Sequence, residues 1–473
     1  MRRLRSKRSV AQPQIDDEVR QKLEAIMGAK NVSFSKEDIE KASVDESPLE
    51  PHPPEVVVKP GTTAEVSAVM KLANERLIPV VAQGSRTGLA GASHPVRGGI
   101  ALSLERMNRV LEIDEENLMT VVEPAVLVDD VHKAVEKVGL YYPPDPGQES
   151  GSVGGNINTN AGGMRALKYG TTRDYIQALE VVLPSGEIIK IGGKVVKDTT
   201  RYSLLDLIVG SEGTLGIVTR ATLRLVPKPK YTALIYAPFD STYDAAKAVS
   251  EIIRRKIQPF ALELMSRHAV ETVERYLERK LPDDIHSAYL IVGVESNNEA
   301  ELGTQLEMAG EVCLENGAID AYIADTVEKQ RQMWEARKAV YDAYNSLYEV
   351  DEADICVPRS AIPAFIDHLD EIGDRHGVQI IPVGHAGDGN IHCNIIRLDG
   401  TDAEWHTELE ETISELVDLG LGMGGTVSGE HGLGYTKRLY LVKKVGDTQV
   451  GLMKGIKKVF DPNGILNPDK IWG

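Results

Sequence analysis

The sequence predicts a mixed α+β chain built from two units, and three observations carry that expectation. Glu55-Val-Val-Val58, a helix opening at Thr62 and Ile78-Pro-Val-Val-Ala82 form a strand–helix–strand unit, which calls for a parallel pair and a right-handed crossover. Residues 178–183 and 187–191, joined by Pro184-Ser-Gly186, read as a hairpin. Beyond Pro227-Lys-Pro-Lys230 the pattern changes to strands alternating with long amphipathic helices, as in a second α/β or α+β domain.

In chain order, residues 1–50 are a polar N-terminal segment with a helix expected over 16–27, closed by the loop Pro51-His-Pro-Pro54. Thr62-Thr-Ala-Glu65 has the capping-box spacing, in which side chains satisfy the free N–H groups of a helix start; that helix runs to Arg76. Strands follow at 100–104 and 119–123, then a helix over 129–138 with Gly139 as its C-cap. In the second unit strands are expected over 232–237, 288–295, 319–324, 354–357 and 379–383, with a helix in each gap. The apolar stripes of those helices are core residues and need no cofactor to explain them. The glycine-rich end closes with Asp461-Pro-Asn-Gly-Ile-Leu-Asn-Pro468. The boundaries read as 1–50, 51–227, 228–420 and 421–473, with no repeat of fixed period.

The 473 residues hold 53 Lys+Arg against 71 Asp+Glu, a net charge of −18. That balance argues against non-specific nucleic-acid binding, which depends on cations neutralising phosphates. No stretch approaches the ~18–20 apolar residues of a membrane span. Cys313, Cys356 and Cys393 include no C-x-x-C, so neither a disulfide framework nor an iron–sulfur cluster is expected, and a reducing cytoplasm is the simplest compartment. The basic opening Met1-Arg-Arg-Leu-Arg-Ser-Lys-Arg8 has no apolar region behind it, so a solvated terminus is expected rather than a secretory signal, with an electrostatic tether to a membrane or an acidic partner as the alternative.

Three glycine-rich stretches interrupt the first unit. Gln83-Gly-Ser-Arg-Thr-Gly-Leu-Ala-Gly91 follows a strand directly, and its glycines let backbone N–H groups converge on an anion. It has neither the G-x-G-x-x-G of a Rossmann site nor the lysine of a P-loop. Pro143-Pro-Asp-Pro-Gly147 leads into Gly151-Ser-Val-Gly-Gly-Asn-Ile-Asn-Thr-Asn-Ala-Gly-Gly163, expected as irregular backbone running close against a flat polar ligand. Val209-Gly-Ser-Glu-Gly-Thr-Leu-Gly-Ile217 is the third.

These loops, in this order and spacing, resemble the FAD-binding domain of the vanillyl-alcohol oxidase / p-cresol methylhydroxylase superfamily. The likeness is strongest to the branch of the glycolate oxidase catalytic subunit and the D-lactate and D-2-hydroxyglutarate dehydrogenases; it covers residues 50–473, including Asn467-Pro-Asp-Lys-Ile471. The resemblance implies a two-subdomain FAD-binding domain of the PCMH type. An α+β cap, with a mainly antiparallel sheet and flanking helices, would complete the chain. It puts the pyrophosphate at Gly84, Ser85, Arg86, Thr87 and Gly88. Pro144, Asp145, Gly154, Gly155, Asn156, Asn160, Gly162, Glu212, Gly213 and Ile217 would flank flavin and adenosine. Some members bind FAD covalently through a loop histidine; neither loop 83–92 nor loop 151–163 has one, so non-covalent FAD is expected.

Gly384-His-Ala-Gly-Asp-Gly-Asn-Ile-His-Cys-Asn394 sets His385 and His392 on either side of a tight turn, so that both imidazoles can face one point. Gly429-Glu-His-Gly432 adds Glu430 and His431, and two imidazoles with one carboxylate form a divalent-metal set with open positions. The resemblance implies His385, His392 and Glu430 as ligands, with zinc expected and manganese or iron as alternatives, Asn394 as a substrate contact and His431 as the base. Trp334, Arg337 and Tyr341 fall at i, i+3 and i+7, one helix face, and Arg337 suits a carboxylate through two parallel N–H···O bonds. The family places a substrate-binding arginine in this motif. Where 2-hydroxyglutarate enzymes carry a lysine, this chain has Asp351-Glu-Ala-Asp354, so a short monocarboxylate such as D-lactate or glycolate is the expected substrate. The resemblance implies oxidation of a 2-hydroxy acid, with an iron–sulfur subunit, an electron-transfer flavoprotein, a cytochrome or a quinone expected as electron acceptor. A homodimer, peripheral at a membrane through a partner, is compatible with this. A metal-dependent hydrolase leaves the glycine loops unexplained, and a non-catalytic flavin subunit would not keep the full metal set.

Overall fold

Three consecutive valines, Val56–Val58, are buried throughout, as befits a strand covered on both faces. Residues 15–148 and 150–472 are described by the computed structural model, so the basic opening lies outside them. Helix Thr63–Arg76 follows, with Thr62 Oγ1 accepting from Glu65 N at 3.2 Å and Glu65 Oε2 accepting from Gly61 N at 2.6 Å. Val80–Gln83 comes next, but the two strands are not neighbours. Ile100–Ser103 lies between them, parallel to both, and Val32–Ser33 adds to the outer edge. Thus the N-terminal segment, with helices Asp17–Met27 and Lys36–Ala42, is joined to this sheet.

The second sheet is antiparallel, in the order Val110–Asp114, Met119–Val122, Ile217–Arg224, Ile176–Val182, Ile188–Gly192. The expected hairpin supplies its last two strands. Helix Val128–Glu136 stops slightly early, and Gly139, at φ +73°, returns its N–H to Glu136 O.

One expectation fails in an informative way. The segment rich in glycine and asparagine contains a helix, Val153–Thr159, capped by Ser152 Oγ, which accepts from Gly155 N at 3.3 Å. Val153 and Ile157, one turn apart, are both fully buried and seat the helix in the core. Two apolar anchors are enough for one turn of contact; Gly154 is buried so closely against Pro124 that a Cβ would collide with it, and Gly155 faces outward.

The cap is one seven-stranded antiparallel sheet ordered Tyr322–Ala324, Tyr231–Phe239, Ala288–Ser296, Ala261–Ser266, Val378–His385, Asn390–Arg397, Val350–Cys356. Helices bury apolar clusters against it. Ala261–Ser266 was not anticipated: Ala, Leu, Glu and Met favour helices, but a central place in the sheet overrides propensity. The helix carrying Arg337 ends at Lys338, and a second runs Val340–Leu347. Tyr341 therefore does not continue the face of Trp334 and Arg337, and Trp334 packs near Phe260. No helix among the described residues is long and apolar enough to cross a membrane.

After the cap the chain returns to the first domain. Val80 N donates to Ile465 O and Asn467 N to Val80 O, both at 2.8 Å, adding a parallel bridge beside the first sheet. Glu212, buried and at φ +51°, accepts from Leu433 N at 2.8 Å and Gly434 N at 2.7 Å. Replacing it leaves both N–H groups unpaired, at about 1–3 kcal/mol each. Glu212→Ala is therefore expected to lower the urea midpoint clearly, and an unchanged midpoint would show that the returning segment is held by other contacts.

Candidate active site

Two clefts share a wall, because Thr87, Leu89, Pro146, Gln148, Glu430 and His431 line both. The first is an open cleft with a cavity volume of about 210 Å³. Gly84, Ser85, Arg86, Thr87 and Gly88 line it, as do Gly154, Gly155, Asn156, Glu212, Gly213 and Ile217. A Cβ at Gly84 would collide with Ser152 Oγ, so close approach of the two loops requires glycine there.

Four expected residues are elsewhere. Pro144 O lies 3.2 Å from His132 Nε2. Asp145 faces Lys338 Nζ at 3.5 Å and accepts from Gly147 N at 3.3 Å. Asn160 closes helix Val153–Thr159 at φ +55°, its Oδ1 accepting from Thr171 Oγ1 and Arg173 N. Gly162 makes room for Glu430, whose Oε2 would lie 3.2 Å from an added Cβ.

The first cleft fits a dinucleotide on its own terms. Gln83 Oε1, Asn156 Nδ2 and Asn467 Oδ1 are buried without partners, and all three residues line it. Buried polar atoms are almost always paired, so unpaired ones around a roomy cleft mark a surface made for a polar ligand. Bare glycine backbone beside them suits the pyrophosphate of FAD.

The second cleft, with a cavity volume of about 140 Å³, is lined by Arg337, His385, His392, Asn394, Glu430 and His431, joined by Glu46, Lys338, Tyr341, Asp342 and Glu352. His385 ends one strand while His392 and Asn394 lie two residues apart on the next, hence on the same face. In register, Val383 pairs with His392 and Ile381 with Asn394, whose Nδ2 donates to Ile381 O at 3.3 Å. His385 Nε2 and His392 Nε2 lie 3.2 and 3.3 Å from Glu430 Oε1. Their other nitrogens are secured by carboxylates: His385 Nδ1 is 2.8 Å from Glu263 Oε2, and His392 Nδ1 is 3.0 Å from Glu352 Oε1.

This is the arrangement that metal-binding histidines use, one nitrogen fixed by a carboxylate and the other aimed at the ion. The three donor atoms lie within 4.8 Å of one another. With Nδ1 donating, each Nε2 lone pair would face the Glu430 oxygen unless a proton or cation stands between them. Burial alone would push both imidazole pKa values down. Glu263 and Glu430 instead hold His385 well above the ordinary histidine value, and Glu352 and Glu430 raise His392 to about 10. The cluster requires positive charge, and its donor set suits a divalent cation.

Arg337 is buried, its Nε donating to Glu263 Oε2 at 2.8 Å, while Nη2 is buried without a partner. A planar carboxylate is the natural complement to that free edge. The His431 loop is held by the fully buried Asp354, whose Oδ2 accepts from Ser428 Oγ, Glu430 N and His431 N at 2.7, 3.0 and 2.9 Å. Burial lowers the pKa of His431, with Asp354 only partly opposing it, so the imidazole is neutral near pH 7.

Sequence reasoning missed Glu263, Glu352 and Glu46. Glu352 stood within the acidic stretch already noted; Glu263 and Glu46 carry no local motif, and only the folded arrangement brings them to the site.

Residues 54–192 match the FAD binding domain family, and residues 228–471 the family of FAD linked oxidases, C-terminal domain. The chain is 41% identical to a D-lactate dehydrogenase of Anaerostipes hadrus, over 88% of this chain and 89% of that protein. It is 38% identical to the glycolate oxidase subunit GlcD of Bacillus subtilis, over 97% of each. Among solved structures, p-cresol methylhydroxylase with substrate bound superposes at a TM-score of 0.79 with 18% identity, covering 96% of both chains, which establishes the PCMH-type fold. Fold, glycine-lined cleft and both matched domains agree: the chain belongs to the FAD-linked oxidases, flavoenzymes with a PCMH-type FAD-binding domain and an α+β cap.

Proposed function

We propose that this enzyme oxidises a D-2-hydroxy acid with a short uncharged side chain, D-lactate or glycolate, to the 2-oxo acid. The observation that carries the reading is the junction of the two clefts, where the free edge of Arg337, neutral His431 and the His385–His392–Glu430 cluster face one space beside the FAD cleft. The similarity to proteins named D-lactate dehydrogenase and glycolate oxidase subunit supports the substrate class.

Arg337 holds the substrate carboxylate through Nη2, with Asn394 beside it. His431 takes the hydroxyl proton at Nε2, which lies 3.5 Å from Glu352 Oε1, so that carboxylate stabilises the imidazolium. Glu263 keeps Arg337 and His385 in fixed orientations. FAD, held non-covalently in the first cleft, would supply the hydride acceptor, and His385, His392 and Glu430 would hold a divalent cation, zinc before manganese or iron, able to acidify the hydroxyl. Electrons leave to an iron–sulfur subunit, an electron-transfer flavoprotein, a cytochrome or a quinone, since three scattered cysteines offer no cluster motif. We place the enzyme in the cytoplasm, as a homodimer that reaches a membrane only through its partner.

Three measurements test this. The anaerobic visible spectrum of the FAD-loaded protein is expected to bleach with D-lactate and not with L-lactate; no bleaching with any 2-hydroxy acid overturns the reading. His431→Ala is expected to lower kcat by about 10²–10⁴-fold, the usual weight of a general base, with the flavin spectrum retained. Full turnover in that variant removes His431 from the mechanism. His385→Ala is expected to lose bound metal, measured by atomic emission, together with activity, while unchanged metal content refutes the ligand assignment.

A further inference from the structure

The N-terminal segment reaches both clefts: Asp45 lines the first and Glu46 the second. Asp45 is anchored in the interior. Its Oδ1 lies 2.9 Å from His94 Nε2 and accepts from Ser47 Oγ at 2.5 Å, and its Oδ2 accepts from Ser93 Oγ at 3.1 Å. The Glu46 backbone is tied on both sides, its N–H donating to Gly88 O at 3.1 Å and its C=O accepting from Tyr341 O–H at 3.2 Å. One residue thus spans from the FAD domain to the cap, and the exposed Glu46 carboxylate stands at the mouth of the second cleft. There Gln148 Nε2 lies 3.3 and 3.4 Å from its two oxygens.

The charges in that cleft are unevenly spread. Arg337 offers a free edge, and Lys338 faces Asp145. Opposed to them are Glu46, Asp342, Glu352 and Glu430; Glu352 is already engaged with His392 and Glu430 with His385 and His392, which leaves Glu46 and Asp342 as the acids not committed to the histidines. A 2-hydroxy acid that commits its own carboxylate to Arg337 leaves its side chain in the remaining space, whose exposed rim carries the acids Glu46 and Asp342. An uncharged methyl or hydrogen is indifferent to them; a second carboxylate is not.

We propose that Glu46 is a specificity-determining residue: from the cleft mouth it repels substrates with a second carboxylate and leaves those with uncharged side chains unopposed. The inference rests on reading the second cleft as the substrate site. The test uses flavin-loaded wild type, Glu46→Gln and Glu46→Lys, comparing kcat/KM for D-2-hydroxyglutarate with that for D-lactate. Glu46→Gln keeps the size and the hydrogen-bonding reach toward Gln148 while removing the charge. Its selectivity ratio is expected to shift toward 2-hydroxyglutarate by about fivefold, and that of Glu46→Lys by more, chiefly through KM. In the wild type, higher ionic strength is expected to move the ratio the same way, because a charge at the mouth is screened. Ratios equal within about twofold in both variants overturn the proposal. A wild type that oxidises neither acid instead overturns the assignment of the reaction, and that result is read first.

Discussion

A single buried carboxylate orders the catalytic half of this molecule. Glu263 is 1% exposed and holds Arg337 Nε and His385 Nδ1 at 2.8 Å each. A buried charge survives only when paired and hydrogen-bonded, so its two partners cannot rotate away without a large penalty. The strand carrying it, Ala261–Ser266, pairs with Ala288–Ser296 on one side and Val378–His385 on the other. A one-residue slip in either pairing would turn Glu263 to the opposite face and take both partners with it. The register of the cap sheet is thus also the geometry of the site.

Other acids repeat the device where loops must be fixed. Asp354 receives three donors from the Ser428–His431 stretch, as well as Asn390 Nδ2 at 2.6 Å. Glu212 receives two from Leu433 and Gly434. The glycine-rich return segment is therefore held from the cap by one carboxylate, which grips Glu430 and His431 directly, and from the FAD domain by another, two residues further on. Loops with so few apolar side chains cannot be positioned by packing, and hydrogen bonds to buried anions take that role.

Much of this was legible in the sequence. The βαβ start, the hairpin, the glycine loops and the His–turn–His motif each have a local signature, and the antiparallel pair Val378–His385 and Asn390–Arg397 does bring His385 and His392 together. The helix Val153–Thr159 was hidden because its glycines argue against helix, whereas two anchors, Val153 and Ile157, decide it. Ala261–Ser266 was hidden by the opposite error, since its composition favours a helix and its strand state comes from neighbours distant in the chain. The break at Ala339 removed Tyr341 from the face of Arg337, and the cleft regained it through the following helix. What stayed illegible was the supporting layer: the carboxylates behind the histidines have no spacing rule, because long-range strand pairing sets their places.

The bridge between Val80 and Leu466 bears on how the molecule is made. Asn467 Nδ2 donates to Ala92 O across 375 residues of sequence. At roughly 5–20 residues per second on the ribosome, the first glycine loop waits about 20–75 s for the residues that bridge to its strand. During that interval the whole cap emerges and can fold, while the nascent cofactor domain still has an open edge on its first sheet. Flavin capture therefore waits on residues 465–467, and a chain cut before Ile465 would carry a folded cap beside a cofactor domain whose first sheet keeps an open edge.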